Sequence, residues 1–156
     1  MSEMKTYTIT LQPLQDGDDE LIKAAREAVI PLVDQRFEGE RITSVGAAAR
    51  WKDGRVFTGA NVRHPSSPAS CTCAELVTLG TAYNETRNRE LDVIVAYWYD
   101  SENQENVINP CGRCRDYLRL YDNPWIIVRD GSITSSKDWG RIRLNDLYLF
   151  MNSWED

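Results

Sequence analysis

The four cysteines are the feature that most constrains what this chain can fold into. They form two close pairs, Cys71 with Cys73 and Cys111 with Cys114, and 37 residues separate the pairs. In a reducing compartment, closely paired cysteines bind a metal or do redox work more often than they form disulfides. If the two pairs share one metal ion, the fold must bring these distant segments together.

Each cysteine pair comes just before or at a predicted helix start. One helix is predicted from about Thr72 to Asn88, and another from Asn109-Pro110 to about Tyr121, because proline suits the first helical position. A helix N-terminus favours the thiolate form of cysteine, which is the form that binds metal. Three thiolates hold a zinc ion and leave a fourth tetrahedral position for water, as in catalytic sites.

Glu75 follows Cys73 by two positions, so on a helix it does not share the metal-facing direction of that cysteine. This position suits a carboxylate beside a metal-bound water. Two other interpretations remain open. Thr72 and Glu75 have the spacing of a capping box, and all four cysteines together would make a purely structural zinc site.

Hydrophobic periodicity predicts an α/β fold, and each predicted element has its own signal. The predicted elements are an amphipathic helix over 20–37 that kinks or stops early at Pro31, a hairpin of 42–50 and 55–62 around Lys52-Asp53-Gly54, the two cysteine-bearing helices, a buried strand at 91–99, a polar excursion at 100–108, a short strand at 125–129, and an end piece at 142–150 that is either helical or extended. Strands that alternate with helices imply parallel pairing. We therefore expect one domain over 1–156, with a mixed sheet and helices on both faces.

Charge and composition narrow the partners. The chain has 18 lysine and arginine residues against 24 aspartate and glutamate residues, for a net charge of −6. It has no basic run with interleaved aromatic residues, so polynucleotide binding is disfavoured. It also lacks an apolar run long enough for a membrane span and shows no secretory signal, so we expect a cytoplasmic protein without membrane contact.

The cysteine motifs carry a resemblance to a known family. C-A-E at 73–75 followed by P-C-G-R-C at 110–114 resembles the zinc-dependent cytidine deaminase superfamily. The stretches F-T-G-A-N-V at 57–62, C-A-E-L-V-T-L-G-T-A at 73–82 and P-C-G-R-C-R-D-Y-L at 110–118 are most similar to the blasticidin S deaminase family. The resemblance implies a three-layer α/β/α sandwich of the cytidine deaminase type, with a sheet of about five strands.

The resemblance also implies a mechanism. Cys73, Cys111 and Cys114 would bind one zinc ion per subunit, and Glu75 would move protons while the cytosine ring of a free nucleoside is hydrolysed to uracil and ammonia. The implied substrate is blasticidin S, with cytidine or deoxycytidine of pyrimidine salvage as the alternative. A homotetramer is implied as well. The alternative from a different class is a zinc-stabilised binding module without turnover.

Four further residues take their expected roles from the resemblance. Ser44, Asn61 and Trp154 match positions of substrate contacts. Arg113 lies between two ligand cysteines, and we expect it to donate to a ligand sulfur and offset the negative charge of three thiolates on one zinc ion.

The chain departs from the family pattern at two charged positions. Arg63 stands where cytidine deaminases have the acidic residue of their ribose-reading N-x-E pattern, and Glu105 stands where the related antibiotic deaminases have an arginine. We expect Arg63 to replace that lost positive charge and to pair with a carboxylate on the substrate. His64 is expected to form loop hydrogen bonds, and Cys71 to be an idle thiol.

Overall fold

The structure, a computed structural model, describes residues 8–100, 102, 104–131 and 138–147. Three α-helices and eight β-strands make up the regular structure of this part of the chain. In chain order these are α1 (Asp18–Val29), β1 (Arg36–Phe37), β2 (Glu40–Arg41), β3 (Val45–Trp51), β4 (Val56–Ala60), α2 (Ala74–Thr86), β5 (Leu91–Tyr99), β6 (Glu105–Ile108), α3 (Gly112–Leu118), β7 (Trp125–Arg129) and β8 (Trp139–Arg143).

Six of these strands form one mixed sheet. Its order is β4-β3-β5-β7-β8, and β6 pairs with the last residues of β5. β3 runs antiparallel to β4 and β5, whereas β5 and β7 are parallel with Val93 opposite Trp125. The predicted hairpin and the strands at 91–99 and 125–129 are thereby confirmed, and the sheet has one strand more than expected.

Helices cover both faces of this sheet. Along β3 and β5, successive side chains point to opposite faces. Ala48, Val93 and Val95 pack with residues of α1, whereas Ala49 and Ile94 belong to the cluster that includes residues of α2 and α3. The three-layer α/β/α arrangement is therefore confirmed, with one apolar core on each side of the sheet.

The predicted early stop of the first helix at Pro31 is confirmed. α1 ends at Val29, and Ile30–Leu32 continue as a 3-10 turn. Pro31 explains the early stop, because proline has no backbone N–H to donate and its ring crowds the preceding turn. Residues 36–37 are not helical but form half of a small hairpin, whose turn at Glu38 and Gly39 has φ of 50° and 82°.

Two further segments differ from the sequence prediction. The polar excursion at 100–108 contains β6, in which Val107 is buried opposite Tyr97 of β5. In the predicted end piece, the first residues belong to β8, which is antiparallel to β7, and a 3-10 turn follows at Leu144–Leu147. Residues 148–150 lie outside the described residues. β6 has too few apolar residues to be recognised as a strand from the sequence, and it is a strand only because it pairs with β5.

The described helices pack against one sheet of six strands, which agrees with a single domain. That one domain extends over all of 1–156 stays a prediction. The longest of their helices, α2, has 13 residues. No helix in this part of the chain combines the length and apolar character that crossing a membrane requires.

Candidate active site

Two helix N-termini carry the cysteines, as the sequence predicts. Cys73 is the residue before α2, Cys111 is the residue before α3, and Cys114 lies in the first turn of α3. Cys73 and Cys111 have extended backbones and make no capping hydrogen bond with their side chains, so their sulfur atoms are left for another partner. The capping-box interpretation of Thr72 and Glu75 is wrong, because α2 begins at Ala74 with Cys73 at the cap.

The three sulfur atoms converge at one point. Those of Cys73, Cys111 and Cys114 all lie within 4.8 Å of one another, and the Sγ atoms of Cys73 and Cys111 are 3.8 Å apart. Tetrahedral zinc with Zn–S bonds of about 2.3 Å would place its sulfur ligands about 3.8 Å apart. The donor set and its spacing therefore fit a zinc ion.

No fourth ligand joins this cluster within the described part of the chain. Neither His64 nor any aspartate or glutamate there belongs to the group, and Cys71 stays outside it. The carbonyl oxygen of Cys71 accepts a hydrogen bond of 2.8 Å from Nη1 of Arg113. A four-cysteine structural site is therefore not formed, and one tetrahedral position stays free of these side chains.

Burial shapes the acidity of the three thiols. It raises the pKa of Cys73 and of Cys114, which has 1% of its surface exposed. At Cys111, burial acts in the same direction, but hydrogen bonds from the backbone and side chain of Cys114 and from Cys73 outweigh it and lower the pKa. A bound cation would favour the thiolate form of all three, and loading such a metal centre would release protons.

Glu75 is a carboxylate in a largely apolar wall. It is the second residue of α2, and only 6% of its surface is exposed. A cavity of about 10 Å³ lies against Glu75 and is otherwise lined by Pro110 and by apolar residues of β5, β7 and α3. This burial raises the pKa of the Glu75 carboxyl group, because the charged form loses its hydration. A carboxyl group so placed is suited to taking up and releasing a proton.

Asn61 has its side-chain amide held in one orientation. Its Oδ1 accepts hydrogen bonds of 2.9 Å from the backbone N–H groups of Ser44 and Val45. Because both donors need the oxygen, the amide NH₂ must point the other way. Ser44 in turn accepts from the N–H of Tyr99. The structure thus brings together Asn61 and Ser44, two of the three expected substrate residues, and Trp154 lies outside the described residues.

Arg63 is an exposed residue two positions after Asn61, which is buried. Between them, Val62 forms an antiparallel bridge with Thr72, so the segment that carries both residues lies beside the segment that leads to Cys73. The described residues give the Arg63 guanidinium no ion pair. Glu105 differs, because it is bound by Arg26 of α1 with a distance of 2.7 Å.

Sequence reasoning missed two residues that support this centre. Asn109, two residues before Cys111, pairs with the backbone of Arg129: its Oδ1 accepts from the Arg129 N–H at 2.8 Å, and its Nδ2 donates to the Arg129 carbonyl at 3.2 Å. Thr78, fully buried, donates from Oγ1 to the carbonyl oxygen of Ala74. His64 packs against Phe37 with ring centroids 5.3 Å apart. In the sequence, Asn109 is visible only as part of the predicted helix start at Asn109-Pro110, and Thr78 only by its position one turn after Glu75.

Comparisons with known proteins agree with this centre. A family model described as the cytidine and deoxycytidylate deaminase zinc-binding region matches residues 20–129. A blasticidin-S deaminase of Bacillus cereus is 29% identical over 122 residues, which are 76% of this chain and 79% of that protein. A cytidine deaminase of Halalkalibacterium halodurans is 33% identical over 99 residues, 64% of each chain.

Solved structures resemble the fold as well. The cytidine deaminase of Mycobacterium tuberculosis superposes with a TM-score of 0.63 and 26% identity, covering 87% of this chain and 97% of that one. The cytidine deaminase of Burkholderia pseudomallei gives 0.62 and 27%, covering 83% and 94%. With the family model matching well over half of its length, the chain belongs to the zinc-binding cytidine and deoxycytidylate deaminase family.

Proposed function

We propose that this chain hydrolyses the cytosine ring of a free nucleoside to uracil and ammonia, with blasticidin S as the leading substrate and cytidine or deoxycytidine as the alternative. The observation that supports it most is the three-sulfur cluster with a buried carboxylate beside it. An enzyme of this type needs a metal with a free coordination position and a proton carrier next to it.

In this proposal, Cys73, Cys111 and Cys114 hold one zinc ion per subunit. Zinc, when bound, would supply a Lewis acid that lowers the pKa of a water molecule far below its bulk value, towards ~7. Glu75 takes the proton that water loses and delivers it to N3 of the ring. A carbon–oxygen bond forms at C4. Glu75 then takes the proton of the new C4 hydroxyl group and hands it to the amino nitrogen, and the carbon–nitrogen bond breaks to release ammonia and leave the uracil carbonyl.

Arg113 is proposed to offset the excess negative charge of three thiolates. The structure gives its guanidinium a hydrogen bond to the Cys71 carbonyl, which places this cation between the two cysteine segments. Arg113→Ala should therefore lower both turnover and zinc affinity. Unchanged turnover and unchanged zinc content would show that Arg113 has no such role.

For the substrate, Asn61 and Ser44 are proposed to contact the sugar and base, and Trp154 to contact the ligand as in the resembling family. Arg63 is proposed to bind a carboxylate on the sugar, which blasticidin S carries and cytidine lacks. Two observations support Arg63, rather than the residue at position 105, as the group that binds this carboxylate. Arg63 is exposed on the segment that bridges to Thr72, next to Cys73, whereas Glu105 is acidic and already bound by Arg26.

A substrate panel with matched variants tests these roles. We expect ammonia release and loss of the aminopyrimidine ultraviolet band with blasticidin S. Arg63→Ala should raise the KM for blasticidin S roughly 10–100-fold, since a lost charge-assisted pair costs about 1.5–3 kcal/mol, and should leave a decarboxylated analogue unaffected. An unchanged ratio between the two substrates would contradict the role of Arg63.

Glu75→Gln separates an enzyme from a zinc-stabilised binding module. The amide keeps the size of the carboxylate but cannot carry the proton, so we expect zinc content near that of the wild type and a loss of turnover of ~10²–10⁴-fold or more. Equal turnover in the variant, or no turnover of any cytosine nucleoside by the wild type, would leave the binding module as the better account.

The assembly and location are proposed from the resemblance alone. We propose a homotetramer in the cytoplasm that binds small-molecule nucleosides and no polynucleotide. Light scattering of the zinc-loaded protein gives its mass directly, and a mass other than four times 17.9 kDa would contradict the tetramer.

A further inference from the structure

Gly59 of β4 lies under the helix turn that carries the candidate metal ligand Cys73. A Cβ atom at position 59 would come within 2.8 Å of Thr78 Oγ1 and 2.9 Å of the Thr78 backbone nitrogen. The second atom belongs to the helix backbone, so it cannot rotate away. The turn of α2 that contains Thr78 therefore approaches the sheet more closely than any side chain at position 59 would permit.

Thr78 holds the same turn from the inside. Its Oγ1 lies 2.9 Å from the carbonyl oxygen of Ala74 and 3.3 Å from that of Ala47 in β3. Ala47, Ala74 and Ala96 form a small buried cluster of their own, so only methyl groups separate this turn from β3 and β5. The start of α2 is thus placed by contact with the sheet.

The two halves of the sulfur cluster depend on different supports. Cys111 and Cys114 are both at the start of α3, so their spacing is local to that helix. Cys73 directly precedes α2, on the same face of the sheet as α3, and its Sγ lies 3.8 Å from that of Cys111. A displacement of α2 by a few tenths of an ångström would change that distance directly.

We infer that Gly59 and Thr78 are positioning residues for the metal centre, and that they set the placement of Cys73 and Glu75 relative to the cysteines of α3. The inference rests on the proposed function, because it concerns how tightly and in what geometry the metal is bound. It also explains why a threonine occupies a fully buried position one turn after Glu75.

The test replaces zinc with cobalt(II), whose visible spectrum reports the geometry of thiolate ligands, and measures zinc affinity by competition with a chromophoric chelator. Gly59→Ala should bind zinc at least tenfold more weakly and alter the cobalt spectrum while keeping the far-ultraviolet circular dichroism. Gly80→Ala in α2, the helix that packs against Gly59, is the control, because a Cβ there meets nothing within 4 Å.

A second pair of variants covers the case in which Gly59→Ala does not fold. Thr78→Val keeps the shape but removes the hydroxyl, and should weaken zinc binding and shift the cobalt spectrum. Thr78→Ser keeps the hydroxyl and should restore both. Ile22→Ala in α1 lowers stability on the opposite face of the sheet, and should leave the metal affinity of the folded protein unchanged.

The outcomes are distinct. Wild-type affinity and spectrum in folded Gly59→Ala, or in Thr78→Val, would overturn the positioning role while the proposed function stands. A wild-type protein that binds neither zinc nor cobalt at these cysteines would instead overturn the proposed function. Weaker binding in Ile22→Ala of the same size as in Gly59→Ala would show general destabilisation and would also overturn the inference.

Discussion

Asp18 is a charged residue with no exposed surface at the first position of α1. Arg141 of β8 binds it with an Nε–Oδ2 distance of 2.8 Å, and Nη2 of Arg50 lies 3.5 Å from its Oδ1. The sequence predicts that the acidic residues at 16–20 form a solvated helix cap. Its neighbour Asp19 is exposed as expected, but Asp18 connects α1 to two strands.

Asp18→Asn should destabilise the fold by about 3–5 kcal/mol, because it removes one partner of a buried ion pair and leaves Arg141 uncompensated. Urea unfolding followed by tryptophan fluorescence measures the change. Asp19→Asn in the same turn is the control and should stay within about 0.5 kcal/mol of the wild type. Equal midpoints for both variants would contradict the buried pair.

The buried hydroxyl group of Tyr121 makes the stability of the fold depend on pH. It packs edge-on against Trp51 with ring centroids 5.9 Å apart, and burial raises its pKa to about 12. Because the folded state holds this proton more tightly than the unfolded chain, whose tyrosine pKa is about 10, its contribution is complete below pH ~10 and is lost as the pH rises towards 12.

Tyr121→Phe should therefore lose less stability than the wild type between pH 9 and 12. Urea midpoints across this range, compared between the two proteins, give the difference. Parallel curves for Tyr121→Phe and the wild type would show that the buried hydroxyl does not contribute.

At the scale of elements, β6 is a short strand attached to α1 as well as to β5. Arg26, in the last turn of α1, donates to both carboxylate oxygens of Glu105, at 2.7 and 3.2 Å. β6 leads within a few residues to Asn109 and Cys111. This ion pair therefore stabilises the strand that precedes the second cysteine segment, on the face of the sheet opposite to α2 and α3.

Arg26→Gln should lower the free energy of unfolding by about 1 kcal/mol, since the ion pair with Glu105 is bidentate but partly solvated. It should also speed amide hydrogen exchange in β6 more than in β7. Lys23→Gln removes a more exposed pair with Glu27 in the same helix, and should change neither quantity measurably. Uniformly faster exchange in every strand would argue against a local role of Arg26.

At the scale of the whole molecule, the metal centre lies beside the cores and is not part of them. Two large apolar clusters, one on each face of the sheet, contain most of the fully buried side chains. The cysteines contribute little to either cluster. A fold of this construction does not need the metal to keep its sheet, unlike a small zinc-dependent module.

Chelation of the metal should therefore lower the thermal midpoint without unfolding the chain at 25 °C. A ligand present at 1,000 times its Kd stabilises by about 4.1 kcal/mol, which sets the scale of the loss. Far-ultraviolet circular dichroism and thermal scans with and without chelator measure it. A collapse of the dichroism spectrum at 25 °C would identify the zinc as structural.

Local chemistry allowed much of this protein to be predicted from its sequence. The helix starts at the two cysteine motifs, the break at Pro31 and the buried strand at 91–99 each depend on neighbouring residues, and the structure shows all of them. The three-layer fold followed from the family resemblance together with the alternation of strands and helices. The convergence of Cys73, Cys111 and Cys114 was expected from the same motifs.

Tertiary structure alone decided the rest, because those features depend on partners that are distant in sequence. β6 is a strand only because β5 has backbone groups free to pair with it, and Asp18 is buried only because Arg141 and Arg50 meet it. The roles of Gly59 and Thr78 also appear only when α2 lies against β4. The sequence shows which residues can do the chemistry. The distances of a few ångströms between those residues depend on how the helices and strands pack against one another, and no local sequence pattern encodes that packing.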